Sequence, residues 1–362
     1  MYNSPIKGDV AIPANVNYQG KQYTVTGIGD NTFGGCTQVT SVSIPASITS
    51  LGEQVFLSCT GLKRITVDAN NTVLKDVDGV LFDKSGNKLI AYPNMRATNY
   101  DIPEGTVELG AASFFMCNEI KNINFPPTLK KIGMLAFGIC SKMNEVTIPE
   151  TVTDLGDFAF YNCTGLEKAI IKANISELKR YMFSRCTALK EVSLPSTIEF
   201  IRTWAFGSCA AMKNIKLPDN LKGIEAEAFN GCETLSEITL PASLEQIGMY
   251  TFDGCKQLKC ITCLRDTPLK GAAMGAGVFE NVDKIACELK VPKGHRNEYA
   301  EAEQWRDFTR ISEHDLSGIS TIISQDSNTQ TTIFTINGQR LPNNTQPSHG
   351  IYIINGKKVC VK

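Results

Sequence analysis

The stretch from Trp204 to Cys232, "WAFGSCAAMKNIKLPDNLKGIEAEAFNGC", contains the phrase A-F-x-x-C twice, ending first at Cys209 and then at Cys232. The same register holds along most of the chain, at Cys36, Cys59, Cys117, Cys140, Cys163, Cys186, Cys209, Cys232 and Cys255. A phenylalanine lies three residues before each of them, at Phe33, Phe56, Phe114, Phe137, Phe160, Phe183, Phe206, Phe229 and Phe252. Successive cysteines of this series are 23 residues apart. The one exception is the step from Cys59 to Cys117, which spans one repeat plus a 35-residue insertion. A fixed period of this length predicts a solenoid of stacked repeats.

Each unit begins with a predicted strand. Apolar residues occur six and eight positions after the cysteine, as at Val146 and Ile148, and residues two apart point to one face of a strand. Six units place proline directly after this pair, where it cannot donate to a continuing ladder: Pro45, Pro126, Pro149, Pro195, Pro218 and Pro241. The strand is therefore predicted to end there.

A second extended piece follows in each unit. Apolar residues recur twelve and fifteen positions after the cysteine, as at Val152 and Leu155, often followed by glycine, as at Gly156. The glycine favours a turn, after which A-F-x-x-C is predicted to form one compact helical turn. Stacking such units would place Phe on Phe and Cys on Cys in a continuous core.

The cysteines have three possible roles. A thiol is a small apolar filler for a tight bend, which predicts buried free thiols. Stacked strands lie about 5 Å apart, within the Cα range of a disulfide, so a chain of disulfides is an alternative, but parallel Cβ vectors disfavour it. After the last repeat, Cys255, Cys260, Cys263 and Cys287 leave open a zinc site or a Cys260 to Cys287 disulfide.

Bulk properties exclude some functions. The formal charge of the 362-residue chain is -1, so no basic field predicts nucleic-acid binding. Its apolar stretches are too short to cross a bilayer. The first residues, "MYNSPIKGDV", do not resemble a leader peptide, and a cleaved leader is expected to precede this sequence.

The chain shows no catalytic or cofactor motif. Its three histidines, His295, His314 and His349, lie outside the repeats and form no evident triad with a repeat-borne nucleophile. The glycine-rich "GAAMGAG" lacks the strand-to-helix context of a nucleotide loop, and Asp76 and Asp78 supply only part of a calcium loop. We therefore predict a protein that is not an enzyme and has no cofactor and no metal site.

The repeat unit, written C-x-x-L-x-x-I-x-I-P-x-x-L-x-x-I-G-x-x-A-F, resembles the BspA-like leucine-rich repeats of bacterial, especially Bacteroidales-type, surface proteins. The insertion "DGVLFDKSGNKLIAYP" resembles a hairpin variant of that family, and "GKQYTVTGIGDNTF" its opening repeat. The resemblance covers roughly residues 10 to 312. It implies a leucine-rich-repeat solenoid, α/β to mainly β, whose function lies in exposed, variable columns.

Four segments are expected. Residues 1–264 form the solenoid, with the opening repeat and a hairpin insertion at about 68–102. Residues 265–314, with Trp305 and Phe308, form a cap over the open end of the core. Residues 315–331 are polar and predict a linker.

Residues 332–362 are expected to form a small β tail. Asn337-Gly338 and Asn355-Gly356 each stand between apolar or alternating runs, the pattern of a tight hairpin. The tail resembles the C-terminal sorting modules that Bacteroidetes attach to exported proteins. This resemblance implies export.

Two exposed columns are candidate binding surfaces. Lysine occurs four residues after the cysteine in five units, at Lys63, Lys121, Lys190, Lys213 and Lys259; the alternative is a solvated sheet face. Five residues before the cysteine, successive units carry Leu135, Phe158, Tyr181, Trp204, Glu227 and Tyr250. This column either packs against neighbouring turns or forms a docking strip. The candidate ligand-binding residues are Phe158, Tyr181, Trp204, Tyr250, Lys190 and Lys213.

These observations predict a secreted or outer-membrane surface-attached repeat protein that mediates adhesion or another protein interaction. Its expected partners are host or bacterial surface proteins, such as host matrix, with no nucleic acid and no membrane span, and the protein is expected to be a monomer. The alternative is a carbohydrate-binding accessory protein that uses the aromatic column for glycans. A structural spacer is a third interpretation.

Overall fold

The computed structural model describes residues 6–314 and, as backbone only, residues 333–335, 350–354 and 357–361. Over residues 6–314 the chain is a β-solenoid of about 13 turns of roughly 23 residues with almost no helix. The described helices are a single 3-10 turn at Gly271–Ala273 and α1 at Arg296–Glu301. The predicted leucine-rich-repeat solenoid is confirmed.

The first turns contain seven strands. They are β1 (Gly8–Ala11), β2 (Asn15–Tyr18), β3 (Lys21–Thr24), β4 (Gly27–Ile28), β5 (Val39–Ile44), β6 (Ser50–Leu51) and β7 (Arg64–Val67). Strands β1, β5 and β7 pair in parallel, as do the short strands β4 and β6, so each turn contributes one long and one short strand. Strands β2 and β3 form an exposed antiparallel hairpin within the opening repeat.

The insertion forms a meander and also supplies a rung of the solenoid. Its strands, with the next two, are β8 (Leu74–Val77), β9 (Val80–Asp83), β10 (Lys88–Ala91), β11 (Asn99–Asp101) and β12 (Glu108–Leu109). Strands β8, β9 and β10 pair antiparallel, and β10 then pairs in parallel with β12. The ring of Tyr92 stacks on Phe114 with centroids 4.8 Å apart, so a tyrosine takes the place of phenylalanine in this turn. The buried core accordingly divides at the insertion into two clusters.

The remaining turns repeat the two-row arrangement, except that residues 213–217 form no strand and interrupt the row of long strands. Their strands are β13 (Asn122–Asn124), β14 (Lys131–Ile132), β15 (Glu145–Ile148), β16 (Asp154–Leu155), β17 (Lys168–Ile171), β18 (Glu177–Leu178), β19 (Glu191–Ser193), β20 (Phe200–Ile201), β21 (Gly223–Ile224), β22 (Glu237–Leu240), β23 (Gln246–Ile247), β24 (Cys260–Cys263), β25 (Glu288–Pro292) and β26 (Arg310–His314). Within each row the pairing is parallel and in register, as between Val146 and Ala169. In β15, Val146 and Ile148 are buried and Glu145 and Thr147 are exposed, as the alternation predicts.

The A-F-x-x-C phrase forms consecutive tight turns and no helix. The residue five before the cysteine and the residue one before it have positive φ, as at Phe158 (60°) and Asn162 (56°), and a left-handed residue ends a right-handed helix. The turns also link successive repeats, because the amide of Phe137 donates to the carbonyl of Ala159 at 2.8 Å. The expected helical turn is therefore a hydrogen-bonded turn row that acts as a third side of the solenoid.

The phenylalanine column is continuous from Tyr92 to Phe279. Consecutive rings stack with centroids 4.8 to 5.9 Å apart. All the register phenylalanines are buried. The core predicted from the repeat register is thus the observed core.

The register cysteines are buried free thiols. From Cys140 to Cys255 each Sγ donates to the carbonyl oxygen of the phenylalanine 26 residues earlier, at 3.0 to 3.3 Å; Cys163 to Phe137 is one instance. Each thiol therefore satisfies a backbone acceptor of the preceding turn as well as filling space. Cys260 and Cys287 are also free thiols, and Cys260 alone among the twelve described cysteines is partly exposed.

Residues 265–314 add a further turn before they close the core. Phe279 stacks on Phe252 at 5.9 Å although no cysteine marks its unit, and Trp305 and Phe308 then meet Phe279 edge-on at 5.1 Å. The side chain of Gln304 accepts from the amide of Val278 at 2.8 Å and donates to a second backbone group at 2.7 Å. The side-chain amide of Gln304 thus makes the hydrogen bonds that the backbone of a following turn would otherwise make. The glycine-rich "GAAMGAG" lies at the entry to this turn.

The tail backbone forms one antiparallel sheet. Its strands are β27 (Ile333–Thr335), β28 (Gly350–Ile354) and β29 (Lys357–Val361), with β28 in the middle. The predicted turns Asn337-Gly338 and Asn355-Gly356, and the predicted linker 315–331, lie outside the described residues.

Substitution of Gly156 by alanine should lower the free energy of unfolding by about 3 kcal/mol, as overpacking against rigid backbone does. A Cβ there would lie 2.3 Å from the amide nitrogen of Met134 in the preceding turn. Gly29 holds the same register position in the first turn, where the nearest heavy atom, Thr32 Oγ1, is 3.6 Å away. Urea unfolding of Gly156→Ala and Gly29→Ala makes the comparison. Equal changes in the free energy of unfolding of the two variants would show that the close approach of the turns at Gly156 does not cause the destabilisation.

Candidate functional site

Phe158, Tyr181 and Trp204, here called the aromatic strip, form a stack along the turn row. The ring centroids of Phe158 and Tyr181 are 4.5 Å apart with planes 4° from parallel, and those of Tyr181 and Trp204 are 6.0 Å apart at 5°. Each side chain is half-buried. The structure therefore brings three of the predicted site residues together in one continuous apolar surface.

The backbone under the strip is left-handed. The φ angles of Phe158, Tyr181 and Trp204 are 60°, 55° and 58°. This conformation disfavours bulky side chains by about 1–2 kcal/mol per residue and suits glycine or asparagine better. The same column holds Asn31 in the first turn and Gly277 near the last. The aromatic residues are thus present against the preference of the backbone.

Ring stacking limits what the strip presents. Tyr181 is stacked between Phe158 and Trp204, closely on the Phe158 side and with a wider centroid separation on the Trp204 side. Trp204 also packs on its own turn, since a Cβ on Gly207 would lie 2.1 Å from the indole Cε3. The strip therefore offers mainly ring edges to a ligand, with few open ring faces.

Tyr250 lies in the same column but outside the stack. Glu227 separates it from Trp204, and its ring packs against Gly277, whose Cβ would lie 2.6 Å from the Tyr250 ring carbon Cε1. Its exposed fraction is 40%. Tyr250 is a separate exposed aromatic residue.

The lysine candidates hold the same register position: Lys190 directly precedes β19, whereas Lys213 precedes residues 214–217, which form no strand. Lys190 is exposed and forms an ion pair with Glu167, Nζ to Oε2 3.1 Å. Lys213 is exposed and has no ion pair within residues 6–314. Similar cross-turn pairs join Lys168 to Glu191 and Lys142 to Glu119. The strand face is therefore largely charge-compensated, and exposed pairs of this kind each contribute only about 0.2–1 kcal/mol.

A charged network beside the strip was missed by the sequence reasoning. Seven residues before the cysteine most turns carry glycine, but three successive turns carry Lys179, Arg202 and Glu225. Arg202 bridges two acids, with Nε to Glu177 Oε2 2.6 Å and Nη1 to Glu225 Oε1 2.7 Å. The absence of glycine at this position in three successive repeats was the sequence signal that could have identified the network.

Hydrogen bonding keeps both acids of this network ionised. Partial burial opposes ionisation of Glu177, but hydrogen bonds from Lys179 and Arg202 hold its pKa below the usual value. Partial burial likewise opposes ionisation of Glu225, whose pKa is lowered by hydrogen bonds from Arg202 and Thr203. The network is therefore a fixed, charge-balanced border of the strip.

Within residues 6–314, no three His, Cys, Asp or Glu side chains cluster in a way that could hold a metal ion. In the same part of the chain no helix is long and apolar enough to cross a membrane.

Comparison with known proteins identifies the repeat. The sequence profile described as BspA type Leucine rich repeat region matches residues 15–85, 88–213 and 201–299. None of the curated proteins matches the chain.

Among solved structures, a leucine-rich repeat protein from Eubacterium ventriosum ATCC 27560 is 27% identical, with a TM-score of 0.62 over 68% of this chain and 64% of that one. The chain thus spans less than two thirds of that relative's length. A leucine rich cell surface protein from Faecalibacterium prausnitzii A2-165 is 21% identical, with a TM-score of 0.46 over 84% of this chain and 91% of that one.

The matched profile covers most of the chain, and the stacked phenylalanines, buried cysteines and two-row strands are the structural form of the repeat that it describes. The protein belongs to the BspA-type leucine-rich repeat family.

Proposed function

We propose that this protein is a secreted or outer-membrane surface-attached, non-catalytic repeat protein that binds a protein ligand through the aromatic strip. Membership in a bacterial leucine-rich repeat family supports a role in protein interaction. The partner would be a host or bacterial surface protein, and the tail would direct export or attachment.

One observation carries the choice of site: three successive turns place Phe158, Tyr181 and Trp204 at a left-handed backbone position that disfavours them. Packing inside the solenoid does not require them, because other turns hold Ala112 or Gly277 there. Apolar surface of this kind is normally covered or used.

A carbohydrate ligand is the second candidate, since sugars bind aromatic side chains. The stacking of Tyr181 between Phe158 and Trp204 weighs against it, because sugar rings stack on open ring faces. A glycan array and a panel of host extracellular-matrix proteins, probed with the same protein, separate the two classes. Binding confined to the glycan array would overturn the proposal of a protein ligand.

Replacing Tyr181 and Trp204 together by glycine should weaken binding to the ligand found in the panel by more than about 2 kcal/mol, as loss of aromatic anchors does. The unfolding midpoint should hardly move, because glycine relieves the left-handed strain while the ring stacking is lost. Binding titration and thermal unfolding of Tyr181→Gly/Trp204→Gly measure both effects.

The matched control is Lys190→Ala/Lys213→Ala on the strand face. These exposed charges should produce a smaller, salt-sensitive loss of binding. If the lysine pair abolishes binding and the glycine pair leaves it intact, the strand face is the binding site and the strip is not.

A further inference from the structure

Two arginines flank the centre of the aromatic strip. Arg180 directly precedes Tyr181 and Arg185 follows it by four residues in the same turn, and both are exposed. Neither guanidinium has an ion-pair partner within residues 6–314. The carboxylate of Asp157, in the adjacent turn, accepts from the backbone amide of Arg180 at 3.0 Å. Two other basic side chains beside the strip are paired: Lys179 with Glu177, and Arg202 with both Glu177 and Glu225.

The charge on the turn row changes sign beyond Trp204. The next residue in the column is Glu227, and Asp253 and Glu280 lie further along the row. Asparagine side chains satisfy part of this acidic end, with Asn230 Nδ2 3.2 Å from Asp253 Oδ2. The row therefore has a cationic, aromatic half and an acidic half.

We infer that the aromatic strip, with Arg180 and Arg185, binds an acidic peptide segment of the partner protein. This inference rests on the proposed function and adds the chemical class of the ligand. Each guanidinium presents a fork of donors that matches a carboxylate, and such charge-assisted hydrogen bonds are stronger than neutral ones. Apolar side chains of the same segment contact the ring edges. Tyrosine, tryptophan and arginine together are the residue types that dominate binding energy at protein interfaces.

The same charges predict where the segment lies. Its carboxylates lie over Arg180 and Arg185, and Glu227 repels them at the Trp204 end. Replacing Glu227 by lysine should therefore strengthen binding, and a general destabilisation of the fold cannot produce this effect.

The probes are fluorescein-labelled 12-residue peptides of one length and one pattern, in which leucine and tyrosine alternate with glutamate, with glutamine or with lysine. Fluorescence polarisation measures their binding to the full chain. The glutamate peptide should bind at least tenfold more tightly than the glutamine peptide, and the lysine peptide should bind least.

Three variants test the site. Arg180→Glu/Arg185→Glu should weaken binding of the glutamate peptide at least tenfold and allow the lysine peptide to bind. Lys172→Glu/Lys216→Glu makes the same change in net charge at exposed positions outside the turn row and should alter binding less than threefold. Glu227→Lys should increase affinity for the glutamate peptide several-fold.

The outcomes separate the two proposals. Equal binding of the glutamine and glutamate peptides, lost in Tyr181→Gly/Trp204→Gly, would overturn the acidic class and leave the strip as a protein-binding site. Equal losses in the two charge-reversal variants would show a nonspecific charge effect and overturn the inference. Absence of saturable binding of the glutamate peptide at millimolar concentration, or binding of sulfated oligosaccharides in its place, would also overturn it. The matrix-panel experiment decides the proposed function separately.

Discussion

Raising the pH from 8 to 11 should unfold the solenoid in a steep transition, because burial raises the pKa of many of its thiols and opposes their ionisation in the folded chain. Burial raises the pKa of Cys59, Cys232, Cys263 and Cys287 from 9.0 to about 12. Between these values the unfolded chain loses the thiol protons and the folded chain keeps them. The stability that these groups contribute is therefore complete below about pH 9 and is lost as the pH rises towards 12.

The size of the effect follows from the number of thiols. Above the pKa of the unfolded thiol, each further pH unit lowers the free energy of unfolding by about 1.4 kcal/mol per buried thiol. The four named thiols alone therefore lower it by about 5–6 kcal/mol per pH unit. A folded domain has roughly 5–15 kcal/mol of net stability. Burial also raises the pKa of Cys117, Cys209 and Cys255. The transition is thus expected near pH 10.

Urea unfolding at pH 7 to 10.5 under nitrogen, with a reductant, measures the slope. The matched variant is Cys232→Ala/Cys263→Ala, in which the slope above pH 9 should fall by about 3 kcal/mol per pH unit, since two titrating groups are gone. This variant separates the thiols from the tyrosines, of which Tyr92 has a pKa raised by burial to about 12. An unchanged free energy of unfolding up to pH 10.5 would contradict the thiol account.

Phe183→Ala should lower the free energy of unfolding by about 3–5 kcal/mol, as large-to-small changes at packed aromatic sites do. Phe183 is fully buried, and its ring stacks on Phe160 at 5.5 Å and on Phe206 at 5.7 Å. The neighbouring turns cannot close the cavity, because each is held by its own hydrogen bonds to the turns beside it.

Two controls accompany this variant in urea unfolding. Lys190→Ala, in the same repeat, removes an exposed ion pair and should cost less than about 1 kcal/mol. Phe56→Ala removes a ring with one stacked neighbour, Phe33 at 5.5 Å, and should cost less than Phe183→Ala. Equal effects of Phe183→Ala and Lys190→Ala would mean that the register of the core is wrong.

Most of the fold could be predicted because the same local residue pattern recurs in each repeat. Val146 and Ile148 alternate with polar residues, Pro149 ends the strand, and Phe160 and Cys163 recur at one interval. Since each turn buries its apolar side chains only against equivalent side chains of the next, the constant spacing of the repeats determines which residues meet.

The irregular rungs could not be predicted in this way. Tyr92 replaces phenylalanine within the insertion, and Phe279 follows Phe252 at a longer interval than the repeat, with Val282 in the place of cysteine. Their membership in the ring column depends on how the chain between them folds, which local spacing does not reveal. For the same reason the role of Gln304 in closing the last turn became visible only in three dimensions.

The candidate site shows the same division. The sequence by itself determined that Phe158, Tyr181 and Trp204 share one column, because a position in the register is a position in the stack. Only the tertiary structure decided that their rings stack nearly parallel on left-handed backbone and that Glu167 pairs with Lys190. It alone also shows that, within residues 6–314, Arg180 and Arg185 have no ion pair beside the strip. Exposure, ring orientation and ion pairing depend on the side chains that adjacent turns bring within a few ångströms, and those contacts join residues that lie a full repeat apart in the chain.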